Sequence, residues 1–365
     1  MSPGDPGFVP PFCPHPDCRF HTCAVGWRYR RHGHFARRCE PRVIPRFRCS
    51  HCRHTFSSQT FSPTYWLRRP ELLEPLFFRS LACSGFRQIA REFAVAPTTV
   101  LGQVARLGRH CLLFQHQHRP RTPLAEPLVV DGFESFEFSQ YHPIHLHLAV
   151  GARSHFFYAF TDSELRRKGR MTARQQRRRA ALERRFGRPD PRAIERDVAE
   201  LLRLVLPEPH YLRLFTDEHP AYPRALRRLH GWSFEHRRTR STVPRTPRNP
   251  LFPVNLLDLL IRHNGAHHKR ETIAFAKRRQ SALERLAVLQ VWRNFVKRFS
   301  ERHGGPTPAM RLGLTSRPLT VTEVLRARRF PSRVVLPARL ARYYWRDVPT
   351  RRIPNARRLR LKRAA

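Results

Sequence analysis

The hydrophobic rhythm of the chain changes near residue 126, and the change separates a helical part from a strand-rich part. On the N-terminal side, Phe86, Ile89, Ala90 and Phe93 fall at i, i+3, i+4 and i+7, the apolar stripe of a short amphipathic helix. Ala94-Val-Ala96 makes a turn, and Pro97 stands where a second helix takes its first residue, a position that suits proline's fixed φ. On that second helix Val100, Val104 and Leu107 would face in, while Thr98, Thr99, Gln103 and Arg106 would face out. Helical character spans Glu71 to Phe114. The spacing is that of a helix-turn-helix whose second helix reads a DNA major groove, although a small bundle without DNA contact has the same pattern.

Beyond Glu126 the period shortens to two. Leu128 to Asp131, Glu134 to Ser139 and His145 to Gly151 are three consecutive strand candidates, and His155 to Phe160 extends the set. A basic helical stretch follows, then a helix with Ile194, Val198, Leu201, Leu202 and Val205 on one face. Next come a strand over Tyr211 to Phe215, a helix over Ala221 to Leu229 and a strand over Trp232 to His236. Further on, Ala282, Leu283, Leu286, Leu289, Trp292, Phe295, Val296 and Phe299 form a wide helical stripe suited to a core or subunit contact. Three strands, helix, strand, helix, strand is the order of the ribonuclease-H-like fold. The expectation is therefore an α/β multi-domain protein. A ribonuclease-H-like mixed-sheet domain occupies 126–300, with a helical basic insertion at 163–207, after a helix-turn-helix at 63–118.

Two acids close apolar runs. Pro127-Leu-Val-Val130 runs into Asp131, and Tyr211 to Phe215 runs through Thr216 into Asp217. A carboxylate just past a strand sits where open α/β sheets place their ligands, so the two suggest one shared cleft. Two ionised carboxylates held together raise each other's pKa unless a cation neutralises them, and a hard divalent ion is the usual answer. Unrelated loop aspartates capping turns are the plainer reading. In the ribonuclease-H-like order a third acid comes from a later helix, and two candidates are available after His236. They are Asp258, three residues after Asn255, and Glu271. Asp258 is preferred because it shares a helix with Arg262 one turn on.

Charge narrows the partner. Against 27 Asp+Glu the chain carries 70 Lys+Arg, a net +43 that points to polyanions, and so to nucleic acid. Ten cations fall within residues 166–185, either a solvated helix face or a track for a DNA backbone. The C-terminal extension 301–365 ends in a basic tail, Arg351 to Lys362, expected to stay disordered until it meets DNA. No apolar stretch approaches the roughly 20 residues a bilayer span needs, and a cytoplasmic, nucleoid-associated protein is expected.

Six of the eight cysteines lie in the first 52 residues. In a cytoplasmic chain such clustering reads as metal binding rather than disulfides. Cys13-Pro-His-Pro-Asp-Cys18 and Cys49-Ser-His-Cys52 form two knuckles, and four thiolates make a closed tetrahedral site for structural Zn²⁺. A zinc ribbon over 1–62 follows, with Cys23, Cys39, His15 and His21 as possible substitutes in the first pair.

Taken in order, several features resemble bacterial insertion-sequence transposases with an acidic catalytic triad. They are the ribbon, the helix-turn-helix of the form Arg87-Gln-Ile-Ala-Arg91, the Asp131-Gly132 step, Thr216-Asp-Glu-His-Pro-Ala-Tyr222 and Arg270-Glu-Thr-Ile-Ala-Phe-Ala-Lys277. The resemblance covers about residues 10 to 300. It implies two Mg²⁺ ions held by Asp131, Asp217 and Asp258 (or Glu271), with strand cleavage and transfer on double-stranded DNA, at element ends and target, by a homo-oligomer. It further implies DNA contacts from Arg87, Thr98, Thr99, Gln103 and Arg106, and from Arg262 and Lys277 beside the acids. His236, His263 and Lys277 are candidate helpers near the scissile phosphate, each also readable as a surface residue. The alternatives are a DNA-binding regulator with a silent acidic site, and a metal-dependent nuclease.

Overall fold

The computed structural model describes residues 7–120, 124–269 and 271–353. Strands β1 (Tyr29–Ala36), β2 (Val43–Cys49) and β3 (Thr55–Ser57) form an antiparallel sheet in the order β1-β2-β3. Strand β1 is exposed along almost its whole length, so this small sheet has little core of its own. Phe12, Phe47, Phe56 and Phe61 supply what core there is, and Phe330 from far along the chain joins them. Its ring lies 5.1 Å from that of Phe12 and 5.7 Å from that of Phe61. Nearby, His21 Nε2 meets the Ser332 hydroxyl at 2.8 Å. The ribbon and the C-terminal extension thus share one apolar cluster.

Three helices follow, α1 (Leu73–Ser80), α2 (Phe86–Glu92) and α3 (Pro97–His118). Pro97 takes the first turn of α3, as expected, and Ala94 makes the preceding turn at φ 50°. Helix α3 then continues for 22 residues, and its later turns lie against the buried helix α8 (Arg279–Val291). A Cβ on Gly108 would come within 2.6 Å of the Glu284 backbone oxygen, so the two helices approach this closely only because position 108 is glycine. Helix α8 is buried on every side, so the expected apolar stripe is core, and Arg279, Glu284 and Arg285 beside it are buried as well. Several of its polar groups are matched by other elements. The Arg285 guanidinium donates to the carbonyls of Ser80 and Ser84, both at 3.0 Å, and Arg346 pairs with Glu284 at 2.9 Å.

The second sheet has five strands, β4 (Leu128–Phe136), β5 (Pro143–Gly151), β6 (Phe157–Glu164), β7 (Tyr211–Asp217) and β8 (Ser233–Thr239), in the order β6-β5-β4-β7-β8. The pairs β4–β5 and β5–β6 are antiparallel, while β4–β7 and β7–β8 are parallel. The first two strand candidates prove to be one strand. Pairing with β5 runs without a break from Leu128↔Gly151 to Phe136↔Pro143. The Asp131-Gly132 step looked like a strand end. Gly132 instead stays in the strand because the His145 ring lies over it, where a Cβ would sit 1.9 Å from that ring. The third strand starts at Phe157, after a turn through His155 at φ 58°.

Helices α4 (Ala173–Phe186), α5 (Ala193–Val205), α6 (Ala221–Leu226) and α7 (Phe252–Asn264) accompany this sheet. Side chains alternate across a strand, so β4 and β5 present Gly132 and His147 to one face and Asp131 and Leu148 to the other. Helix α5 covers the first face, where His147 Nε2 meets Ser163 Oγ at 2.8 Å and Ser163 donates to Asp197 at 2.7 Å. Helix α7 crosses the second.

The C-terminal part holds three short helices, α9 (Pro308–Arg311), α10 (Val321–Val324) and α11 (Ala338–Trp345). Helix α11 is bolted to β6 by buried charge. Arg339 pairs with Asp197 at 2.6 Å and with Asp162 at 3.4 Å, and also with Glu200. Arg279 reaches the other oxygen of Asp162 at 3.2 Å. Tyr343, stacked on Phe160, donates to the same carboxylate. Removing one member of such a buried set leaves charge uncompensated, at a cost of about 3–5 kcal/mol. Arg339→Met should therefore lower the midpoint of urea unfolding by that much in free energy. A loss below about 1 kcal/mol would mean the pairing contributes little. Arg351 pairs with Glu164 and donates to the Phe186 carbonyl at 3.0 Å, so the basic tail is anchored at its start. Residues 354–365, the rest of the expected disordered tail, lie outside the described residues. Among the described residues no helix is long and apolar enough to cross a membrane.

Candidate functional site

The four cysteines of the two knuckles converge. Sγ atoms of Cys13, Cys18, Cys49 and Cys52 all lie within 4.8 Å of one another, with Cys13–Cys52 at 3.6 Å and Cys18–Cys49 at 4.0 Å. Four sulfurs at about 2.3 Å from one Zn²⁺ stand about 3.8 Å apart, so the cluster has the right size for that ion. Local hydrogen bonds shape each knuckle, Cys18 N–H donating to the His15 carbonyl and Cys49 N–H to that of His54. Burial raises the Cys13 thiol. Burial also pushes Cys49 up, but the Trp27 indole N–H at 3.2 Å and the amides of Cys52 and His51 outweigh it and bring that thiol down to about 7. The proposed substitutes stand apart. Cys23 is exposed, Cys39 points to the Leu67 carbonyl, and His21 bonds the Cys13 carbonyl and Ser332.

The acidic cleft follows from strand register. Pairing between β4 and β7 consists of Leu128↔Leu214 and Val129↔Phe215. Asp131 and Asp217 each lie two residues further on, at equivalent positions of neighbouring parallel strands, and so on the same face. Asp131 lies inside β4 rather than past its end, a correction to the expected placement. It is nonetheless free of β7, because β7 has left the ladder by then. Helix α7 crosses this face and brings Asp258, on which the Asp131 charge acts. Tyr222, at the start of α6, is buried among all three aspartates and donates to Asp131 Oδ1 at 3.5 Å. Asp131 also accepts from the Gly132 amide at 2.7 Å, and Asp217 from that of His219 at 2.9 Å. Glu271 is exposed and is not among the charges acting on Asp131, Asp258 or Tyr222.

Burial, with Asp217 adding to it, raises Asp131 from its ordinary value to about 6. Burial and the Asp131 charge raise Asp258 well above the carboxylate range, against the nearby cations Arg262 and Arg245. In the unfolded chain these groups ionise near 4. Between about pH 4 and 6 the unfolded chain therefore binds fewer protons than the folded one, and the folded state loses stability as pH rises. Asp131→Asn should match wild type in melting temperature near pH 4 and exceed it above pH 6, with Mg²⁺ raising wild type more than the variant. Parallel melting curves across pH 4 to 8 would contradict this.

The expected DNA contacts divide into two groups. Arg87, Thr98 and Lys277 are exposed, with Thr99 half-buried beside them. Three others are engaged inside the fold, contrary to expectation. Gln103 is 3% exposed and donates to the Arg69 carbonyl at 3.1 Å. Arg106 donates to the Pro63 carbonyl at 3.0 Å and lies over the Tyr65 ring. Segment 63–69 covers that side of α3, which a two-helix motif would leave open. Arg262 donates to the His268 carbonyl at 3.0 Å and stacks on Phe133. Of the candidate helpers, His236 bonds Thr216 Oγ1 at 2.8 Å, while His263 is exposed. Sequence patterns gave no role to Tyr222 or Arg245. Tyr222 was at least inside a quoted motif, whereas Arg245 sits in a Pro- and Arg-rich loop without periodicity. The chain matches no protein-family model and no curated protein.

Proposed function

We propose that this protein is a DNA transposase of the insertion-sequence type, cutting and joining DNA with divalent metal. The observation that carries the reading is the shared register of Asp131 and Asp217 beside Asp258. The β6-β5-β4-β7-β8 order, with its change from antiparallel to parallel pairing at β4, resembles the ribonuclease-H-like arrangement. The net charge of +43 favours a nucleic-acid substrate.

The acids fit a hard cation on two counts. Asp258 Oδ1 is buried without a hydrogen-bond partner among the described residues, and burial, with a neighbouring carboxylate adding to it, holds both Asp131 and Asp258 above the ordinary carboxylate range. Asp131, Asp217 and Asp258 would hold Mg²⁺. Such ions, when bound, generate a nucleophile from water or a 3′ hydroxyl and stabilise charge at the phosphorus. Tyr222 keeps Asp131 oriented toward the cleft, and Arg262, one turn after Asp258, steadies its charge. The test is Mg²⁺-dependent nicking and end-joining of element-end duplexes by purified protein. No cleavage with Mg²⁺ or Mn²⁺ would remove the catalytic reading.

A second reading, a DNA-binding regulator with a silent acidic site, has one observation in its favour. Among the described residues only the four thiols gather their ligand atoms within 4.8 Å; the three carboxylates do not.

A further inference from the structure

Helix α4 buries none of its 14 residues. A helix without a buried face gains nothing from a core, so its ends and a few surface bonds must hold it. Thr172 and Gln175 form a reciprocal cap at the N-terminus, with bonds of 3.3 and 3.1 Å. Gly187, at φ 81°, ends the helix. Arg166 clamps Glu183 at 2.8 and 3.1 Å, Arg179 donates to the Arg167 carbonyl at 3.1 Å, and Arg351 holds the last carbonyls. Residues 179, 183 and 186 lie on one side of the helix.

The opposite side is cationic. At about 100° per residue, Arg174, Arg177, Arg178, Arg184 and Arg185 fall within a stripe about 120° wide. All five are exposed, and among the described residues none forms an ion pair, since Glu183, the one acid of α4, is taken by Arg166 and Arg179. Like charges one turn apart, such as Arg174 and Arg178, destabilise a helix. The stripe therefore costs stability in the isolated protein, and an anionic partner would remove that cost.

The segment leading into α4 carries two further cations, Lys168 and Arg170. Lys168 is close enough to His145 and His219 to act on both imidazoles. The His145 ring lies over Gly132, on the sheet face opposite Asp131, and His219 is two residues from Asp217. A row of cations thus runs along the outer face of α4.

We infer that α4 is a track for the sugar-phosphate backbone of duplex DNA, contacting phosphates without reading bases. The stripe from Arg174 to Arg185 is about 16 Å long, a length over which a duplex presents about ten phosphate charges. This rests on the DNA-processing reading above.

The test uses the full chain with Arg174, Arg177, Arg178, Arg184 and Arg185 all changed to Gln, beside a version with all five changed to Lys. Fluorescence anisotropy with a random-sequence duplex measures how affinity falls with salt. Each phosphate contact contributes about 0.9 to the slope of log affinity against log salt. The Gln protein should lose about 4 from the wild-type slope, and the Lys protein should keep it, with unchanged circular dichroism in both. A Gln protein with the wild-type slope would overturn the role of α4 while leaving the transposase reading intact. A wild-type protein without salt-dependent DNA binding would overturn both.

Discussion

Asp217→Asn should abolish Mg²⁺-dependent nicking of an element-end duplex, by at least about a thousandfold, while leaving affinity for that duplex within about threefold of wild type. A thousandfold loss corresponds to about 4 kcal/mol of transition-state stabilisation, a reasonable share for one charged ligand to a catalytic ion. Binding should survive because Asp217 has no part in holding the basic surfaces together. Its side chain accepts a local hydrogen bond, from the His219 amide at 2.9 Å. Asp131→Asn and Asp258→Asn should behave alike, and Glu271→Gln should cleave normally, since Glu271 is exposed and outside the cleft. Gel assays with 5′-labelled strands read cleavage, and a labelled end with a supercoiled target reads joining. If Glu271→Gln is dead and Asp258→Asn active, the third acid has been misassigned. If all four proteins cut like wild type, the cleft is not the site.

The purified protein should carry one zinc per chain, and Cys13→Ser or Cys49→Ser should lose both the metal and the fold of the ribbon. Zinc-binding free energies in small metal-dependent domains are about 10–16 kcal/mol, and there they act as folding energy. Here the metal has help. Phe12, Phe47, Phe56 and Phe61 form a cluster with Phe330, so loss of zinc should expose the segment around Phe330 as well as the ribbon. Elemental analysis measures the metal, and limited proteolysis should show new cuts near Arg328, Arg329 and Arg333. Cys23→Ser and Cys39→Ser should retain zinc, because neither thiol belongs to the cluster. A Cys49→Ser protein with full metal content would rule out the four-thiol site.

Periodic, local signals were readable in the sequence. The stripe Phe86, Ile89, Ala90 and Phe93, the turn before Pro97 and the two cysteine knuckles needed only neighbours a few residues apart, and they are found as expected. What escaped depends on distant segments. Gln103 and Arg106 have the spacing of an outward helix face, yet segment 63–69 covers them, and no periodicity announces a covering loop. The strand break placed at Asp131-Gly132 failed because glycine there serves the His145 ring across the sheet. Helix α8 could not be read as a wholly buried element because its Arg279, Glu284 and Arg285 look like solvent residues until their partners on other elements are known. For the acids, the apolar runs located Asp131 and Asp217, while their common face came from the β4–β7 register.

Phe12 and Phe330 are about three hundred residues apart in the chain, and the ribosome makes them in that order. The ribbon thus cannot close its aromatic cluster until residue 330 has emerged. An unfinished nascent chain would hold its cysteines ready for metal but leave Phe12 and Phe61 without their last neighbour. Synthesis through residue 330 and completion of the N-terminal ribbon are thereby coupled.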